Sequence, residues 1–112
     1  MIGPADLAAI DRDYFNILSA GGYDITLQSR PTGHCWHLLE RVSNGYRSFV
    51  ISHRHGDSGP YHPQKTKPKP SVEACCDYIK GHDAYQAQRD RAKEQRRQEN
   101  RRRHMKAMGG SR

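Results

Sequence analysis

Apolar side chains recur at steps of three and four between Pro4 and Ala20 (Leu7, Ile10, Tyr14, Ile17 and Leu18), the spacing of one helical face, and they predict a first helix there. Pro4 suits a first helical turn, Asp6 lies at the positive end of the dipole, and Gly21-Gly22 supplies residues able to take positive φ beyond the last turn. The period then changes to two. Tyr23, Ile25 and Leu27 alternate with Asp24, Thr26 and Gln28 in a half-buried strand that Arg30-Pro31-Thr32-Gly33 ends. A second run, His34 to Val42, puts Trp36, Leu38 and Val42 on one face, and a third, Tyr46 to His53, does the same for Phe49 and Ile51. Asn44-Gly45 between them is the favoured pair for a two-residue type I′ hairpin, because both residues tolerate positive φ. That turn pairs Ser43 with Tyr46, and hence Glu40 with Phe49, Leu38 with Ile51 and Trp36 with His53. The two strands then share one apolar face.

Residues Gly56 to Pro70 hold four of the six prolines and, of apolar side chains, only Tyr61, so the stretch reads as a long loop. Ser71, a preferred N-cap, precedes Val72, Cys75, Cys76 and Ile79 at helical spacing and starts a second helix. Gly81 is placed to end or bend it, but the composition beyond favours its resuming. Past Tyr85 no apolar stripe anchors the segment, which reads as a solvated, fraying helix, and Met105 to Arg112 reads as disordered. The predicted fold is a small α+β domain over residues 1–85: helix, three-stranded antiparallel sheet, helix, both helices on one face, with a basic extension over residues 86–112. Its core would hold Leu7, Ile10, Ile17, Leu27, Trp36, Leu38, Phe49, Ile51, Val72 and Ile79. The other sheet face would stay open, carrying His37, Leu39, Arg41, part of Arg47, Ser48 and Ser52. This element order resembles that of double-stranded-RNA-binding domains, and three-stranded sheets also read the DNA major groove in some phage integrase amino-terminal domains. Where the RNA-binding family has a lysine-rich start to its second helix, this chain has Ser71-Val72-Glu73-Ala74.

The 112 residues carry 19 Lys and Arg against 12 Asp and Glu, a formal charge of +7. Its location sharpens its meaning. Residues 1–85 balance nine bases with nine acids, whereas residues 86–112 hold ten bases and three acids, so the whole excess lies in the extension. Arg89, Lys93, Arg96, Arg97, Arg101, Arg102 and Arg103 crowd a segment able to neutralise successive phosphates and release their counterions. Arginine suits bidentate phosphate contact and stacking on bases. Lys65, Lys67 and Lys69 alternate with Thr66 and Pro68 along a stiff extended loop, and with Arg41 and Arg47 they would extend a basic surface. An acidic protein partner or a purely solubilising charged helix accounts for the same composition.

Other chemistry is weaker. His34, His37, His53, His55, His62, Cys75 and Cys76 invite a zinc reading, but no C-x-x-C or H-x-x-x-H spacing occurs and adjacent strand residues point to opposite faces. The sequence thus predicts no metal and no cofactor. Three cysteines exclude a complete disulfide framework and favour a reducing compartment. His53, His55 and Asp57 with Ser52 and Ser58 read as a polar strand end, and no phosphate loop or dinucleotide pattern is present, so the chain is predicted not to be an enzyme. Tyr46 and Tyr61 are candidates for stacking on bases. No apolar run is long enough to span a bilayer and no secretory leader is visible, so a cytoplasmic protein off the membrane is expected. The first expectation is a small nucleic-acid-binding protein, for DNA or RNA. The second is a protein-interaction module, such as a phage or mobile-element accessory or inhibitor protein that binds a host protein.

Overall fold

In the computed structural model, which describes residues 1–56 and 58–109, the last five as backbone, the turn at Asn44-Gly45 forms as predicted. Asn44 and Gly45 take φ of 51° and 79°, both positive as type I′ demands. The strands it joins, β3 (Cys35–Ser43) and β4 (Tyr46–Arg54), pair Ser43 with Tyr46, Glu40 with Phe49, Leu38 with Ile51 and Trp36 with His53. On the other side of β3, β2 (Asp24–Ser29) sets Leu27 against Trp36 and Ile25 against Leu38.

The first predicted helix is mostly not a helix. α1 covers only Pro4–Ala8, and Phe15–Ala20 is a strand, β1, antiparallel to β2, with a bulge between Ile17 and Ser19. Gly21-Gly22 is the connection between these strands, closed by the Gly21 N–H on the Asp24 carbonyl at 2.8 Å, and is not a helix end. The change of course occurs at Asp11, whose carbonyl accepts from the Tyr14 and Phe15 N–H groups and whose carboxylate accepts from the Asp13 N–H at 3.0 Å. Such a local side-chain bond offers the backbone an alternative to a helical ladder.

The predicted loop also contributes structure. His62–Pro63 forms a short β5 against Ser52 and His53, and Lys69 bridges back to Phe49 through paired backbone bonds of 2.8 and 2.9 Å. The sheet therefore has five strands in the order β1-β2-β3-β4-β5, all antiparallel, where three were predicted. With a strand in place of most of helix one, the element order departs from that of the double-stranded-RNA-binding domains. An antiparallel sheet with a C-terminal helix remains an α+β arrangement.

α2 runs over Val72–Gly109, continuous through Gly81, and includes Met105–Gly109, which the sequence predicts to be disordered; residues 110–112 and Asp57 lie outside the described residues. Ser71 caps it, its Oγ accepting from the Ala74 N–H at 3.1 Å. Its first two turns bury Val72, Cys75, Cys76 and Ile79 with Phe15, Ile25, Leu27, Trp36, Leu38, Phe49 and Ile51 in one core. Leu7 and Ile17, predicted as core, pack at its margin, while Phe15, left out of that prediction, is 1% exposed. Cys75 is buried enough to push its thiol up to about 12, the behaviour of a small hydrophobe. The opposite sheet face is only partly open: its Cys35 is buried, and Tyr61 reaches both His37, at 5.9 Å between ring centroids, and Arg54, whose guanidinium sits 4.7 Å from its ring. The chain divides into two compact units, Met1–Ile79 and the part from Lys80 onward.

Candidate functional site

From Lys80 to Gly109 the chain is a single helix with no apolar stripe, and every described side chain from Ala87 to His104 is exposed. Helical geometry sorts its bases. At about 100° per residue, Arg89, Lys93, Arg96 and Arg103, with Asn100 among them, fall within roughly 40° of one line along the helix. Asp90, Glu94 and Glu99 lie off this line, so the stripe is free of carboxylates over about 21 Å, from fourteen steps of roughly 1.5 Å. Arg97 and Arg101 flank it on the side of Asp90 and Glu94, and Arg102 faces away. Among the described residues, the ion pairs of Met1, Asp6, Asp24, His37, Glu40 and Arg47 leave these bases unengaged. Arg89 also lies 5.9 Å over the ring of Tyr85.

The other predicted basic residues are scattered. Arg41 is exposed on β3, Lys65 and Lys67 are exposed beyond β5, and Lys69 is held by its bridge to Phe49 with its ammonium 4.9 Å over the Tyr78 ring. Tyr46 is 80% exposed beside the hairpin turn. Arg47, which the sequence places in part on the open face, does not lie there. It pairs with Val42 and shares the side of Glu40 and Phe49, donating to Glu40 Oε1 at 3.0 Å and to Asp6 Oδ2 at 2.9 Å. Glu40, whose side chain is fully buried, also accepts from the Met1 ammonium at 2.6 Å. The Arg47 guanidinium therefore ties α1 to the sheet, and its charge is answered within the fold.

This pairing has a pH signature. Hydrogen bonds from Arg47 hold both carboxyl groups, Glu40 and Asp6, below their ordinary range. A carboxyl whose pKa is depressed by folding stabilises the fold above its unfolded value, about 4, and loses that contribution as the pH falls through the lower folded value. Arg47→Gln is expected to lower the melting temperature at pH 7, and the gap to the wild type should narrow as the pH falls below about 4. Thermal melts followed by circular dichroism at pH 7, 4 and 3 check this; a gap that stays constant across the series contradicts it.

The structure also brings together three histidines in which the sequence predicts no metal site. His34, His53 and His55 bring one ring nitrogen each within 4.8 Å of one another. His34 Nδ1 and His53 Nε2 are 3.1 Å apart, and the three ring centroids are separated by 5.0, 4.7 and 4.6 Å. His53 is 5% exposed and stacks on Trp36 at 4.0 Å and 15°, whereas His34 is half-buried and His55 exposed. The hairpin register could have revealed this cluster. With Trp36 opposite His53 and Cys35 opposite Arg54, the next pair outward is His34 with His55, and residues two apart share a face. The opposite-face rule disqualifies neighbours such as His34 and Cys35. It does not disqualify this trio. His37, on the other face, is bound instead to Asp24 at 3.1 Å.

Among the described residues, no helix is long and apolar enough to cross a membrane. No family model, curated protein or solved structure gives a significant match to this chain.

Proposed function

We propose that this chain is a small, non-enzymatic nucleic-acid-binding protein whose arginine-rich helix holds phosphates. The observation that carries this reading is the carboxylate-free stripe of Arg89, Lys93, Arg96 and Arg103 on one exposed, regular helix. Bases dispersed for solubility have no need of a line kept clear of acids, and a line of guanidinium groups matches the linear array of charge on a nucleic-acid backbone. Arg97, Arg101 and Arg102 add long-range attraction from the flanks and rear of the helix. On the sheet unit, Lys65, Lys67 and Arg41 supply further exposed cations, while Arg47 is occupied by Glu40 and Asp6. Contacts of this kind give affinity and orientation without base preference. The reduced state of Cys35, Cys75 and Cys76 fits a reducing compartment, and the cytoplasm is the proposed location.

The test is a salt series. Fluorescence anisotropy with labelled duplex DNA, duplex RNA and single strands is expected to show binding at about 50 mM salt, with log K falling against log salt at a slope of about −3.6 or steeper for duplex DNA, from four phosphate contacts. The strand type bound most tightly names the class of target. Absence of binding at that salt to every one of these probes removes the reading.

A further inference from the structure

We propose that His34, His53 and His55 form a binding site for one divalent transition-metal cation of the zinc type, held by three imidazole nitrogens with a fourth coordination position open. The inference is independent of the nucleic-acid reading, since it rests only on side chains of the sheet unit.

The donor geometry carries it. Zinc–imidazole bonds of about 2.0–2.1 Å arranged tetrahedrally require neighbouring nitrogens about 3.3 Å apart. His34 Nδ1 and His53 Nε2 already stand 3.1 Å apart, close to one edge of that tetrahedron. A hydrogen bond between two neutral imidazoles accounts for that pair alone. It does not account for the third ring, whose nitrogen converges within 4.8 Å of both although His55 is exposed. The cation needs only a short swing of this one exposed side chain. The other two ligands are set by the fold: His53 is fixed from below by its stack on Trp36, and His34 leads directly into β3. A ligand locked by packing binds with less ordering cost, which is how supporting side chains raise metal affinity.

The donor type selects the ion. Three neutral nitrogens with no oxygen donor suit zinc, copper or nickel and poorly suit magnesium or calcium, which prefer carboxylates and carbonyls. With no thiolate or carboxylate among the three, the bound ion keeps its full positive charge, and the open position on the exposed side, beside His55, takes water or an anionic or nitrogenous group offered from outside.

The probe is Zn2+ itself, titrated calorimetrically into the full chain after chelator treatment at pH 7.5, with Co2+ as a spectroscopic substitute. One equivalent is expected to bind and to raise the melting temperature, as any ligand specific to the folded state must. Cobalt should give the intense visible bands of tetrahedral coordination without the near-ultraviolet charge-transfer band of a thiolate ligand. His55→Ala and His34→Ala should each weaken zinc binding at least about tenfold. Because His55 is exposed, His55→Ala should keep the metal-free melting temperature, which separates loss of a ligand from loss of the fold. His62→Ala, at an exposed position paired with His53 but outside the trio, should bind zinc as the wild type does. Failure to bind, binding that survives both His34→Ala and His55→Ala, equal loss in His62→Ala, or a thiolate band would each overturn the assignment.

Discussion

Replacing Arg89, Lys93, Arg96 and Arg103 together by glutamine is expected to reduce affinity for duplex nucleic acid by at least about 100-fold at 50 mM salt and to flatten the salt dependence by about 3.6. The size follows from counterion release, in which each neutralised phosphate contributes about 0.9 to the slope on duplex DNA, so four contacts make affinity fall about 150-fold when salt rises from about 50 to 200 mM. Glutamine keeps a comparable helix propensity on an unbranched polar side chain while removing the charge, so the folded content seen by circular dichroism should not change. Net charge alone predicts a different result from geometry. Arg91 and Arg102 lie on the opposite side of the helix from the stripe, and both are exposed. Arg91→Gln with Arg102→Gln removes as much charge as Arg89→Gln with Arg96→Gln, yet should change the slope by less than about 1, against about 1.8 for the stripe pair. Equal slopes for the two double variants would mean that the helix acts only as a diffuse cation, and the stripe would lose its meaning.

Trp36→Ala is expected to be the most damaging single substitution, costing about 3–5 kcal/mol of unfolding free energy. Trp36 is fully buried, lies between Leu27 and His53 in the register, and donates from its indole nitrogen to Ser29 Oγ at 3.1 Å. Truncation opens a cavity in the middle of the sheet and leaves the buried Ser29 hydroxyl without its donor. Against a total stability of roughly 5–15 kcal/mol for a domain of ordinary size, that loss is a large fraction of what holds the unit together. Urea unfolding followed by far-ultraviolet circular dichroism measures it, because the substitution removes the only tryptophan. Trp36→Phe fills most of the space and breaks the hydrogen bond, so it should cost less, with about 1–3 kcal/mol of the loss belonging to the unsatisfied serine. A cost below about 1 kcal/mol for the alanine variant would show that the sheet repacks around the gap.

The best-read part of the fold was the β3–β4 hairpin, for a specific reason. Asn44-Gly45 fixes the turn, and Trp36, Leu38, Phe49 and Ile51 then agree on one face, so two independent constraints select the same register. The start of α2 was equally legible, from Ser71 and the spacing of Val72, Cys75, Cys76 and Ile79. The amino-terminal reading failed because Leu7, Ile10, Tyr14 and Ile17 satisfy a helical period, while Phe15 and Ile17 equally satisfy a strand period. Tertiary pairing with Ser29 and Leu27 decides between them. β5 carries no period because its two residues are placed by the edge of β4, which the local sequence does not announce. The basic segment was legible from charge alone, but its division into an acid-free stripe, flanks and rear needed a continuous helix. The histidine trio is not legible along either strand alone, because His34 meets His53 and His55 only across the hairpin.

One feature of the sheet bears on how the molecule behaves in company. A β-sheet grows by recruiting strands to its margins, and long, straight, unpaired margins template aggregation. Here one margin is β1, bent by its bulge at Leu18, and the other is the two-residue β5, in which Pro63 contributes no amide donor. Each margin therefore offers a second chain little ladder to extend, an arrangement that disfavours edge-to-edge stacking of copies.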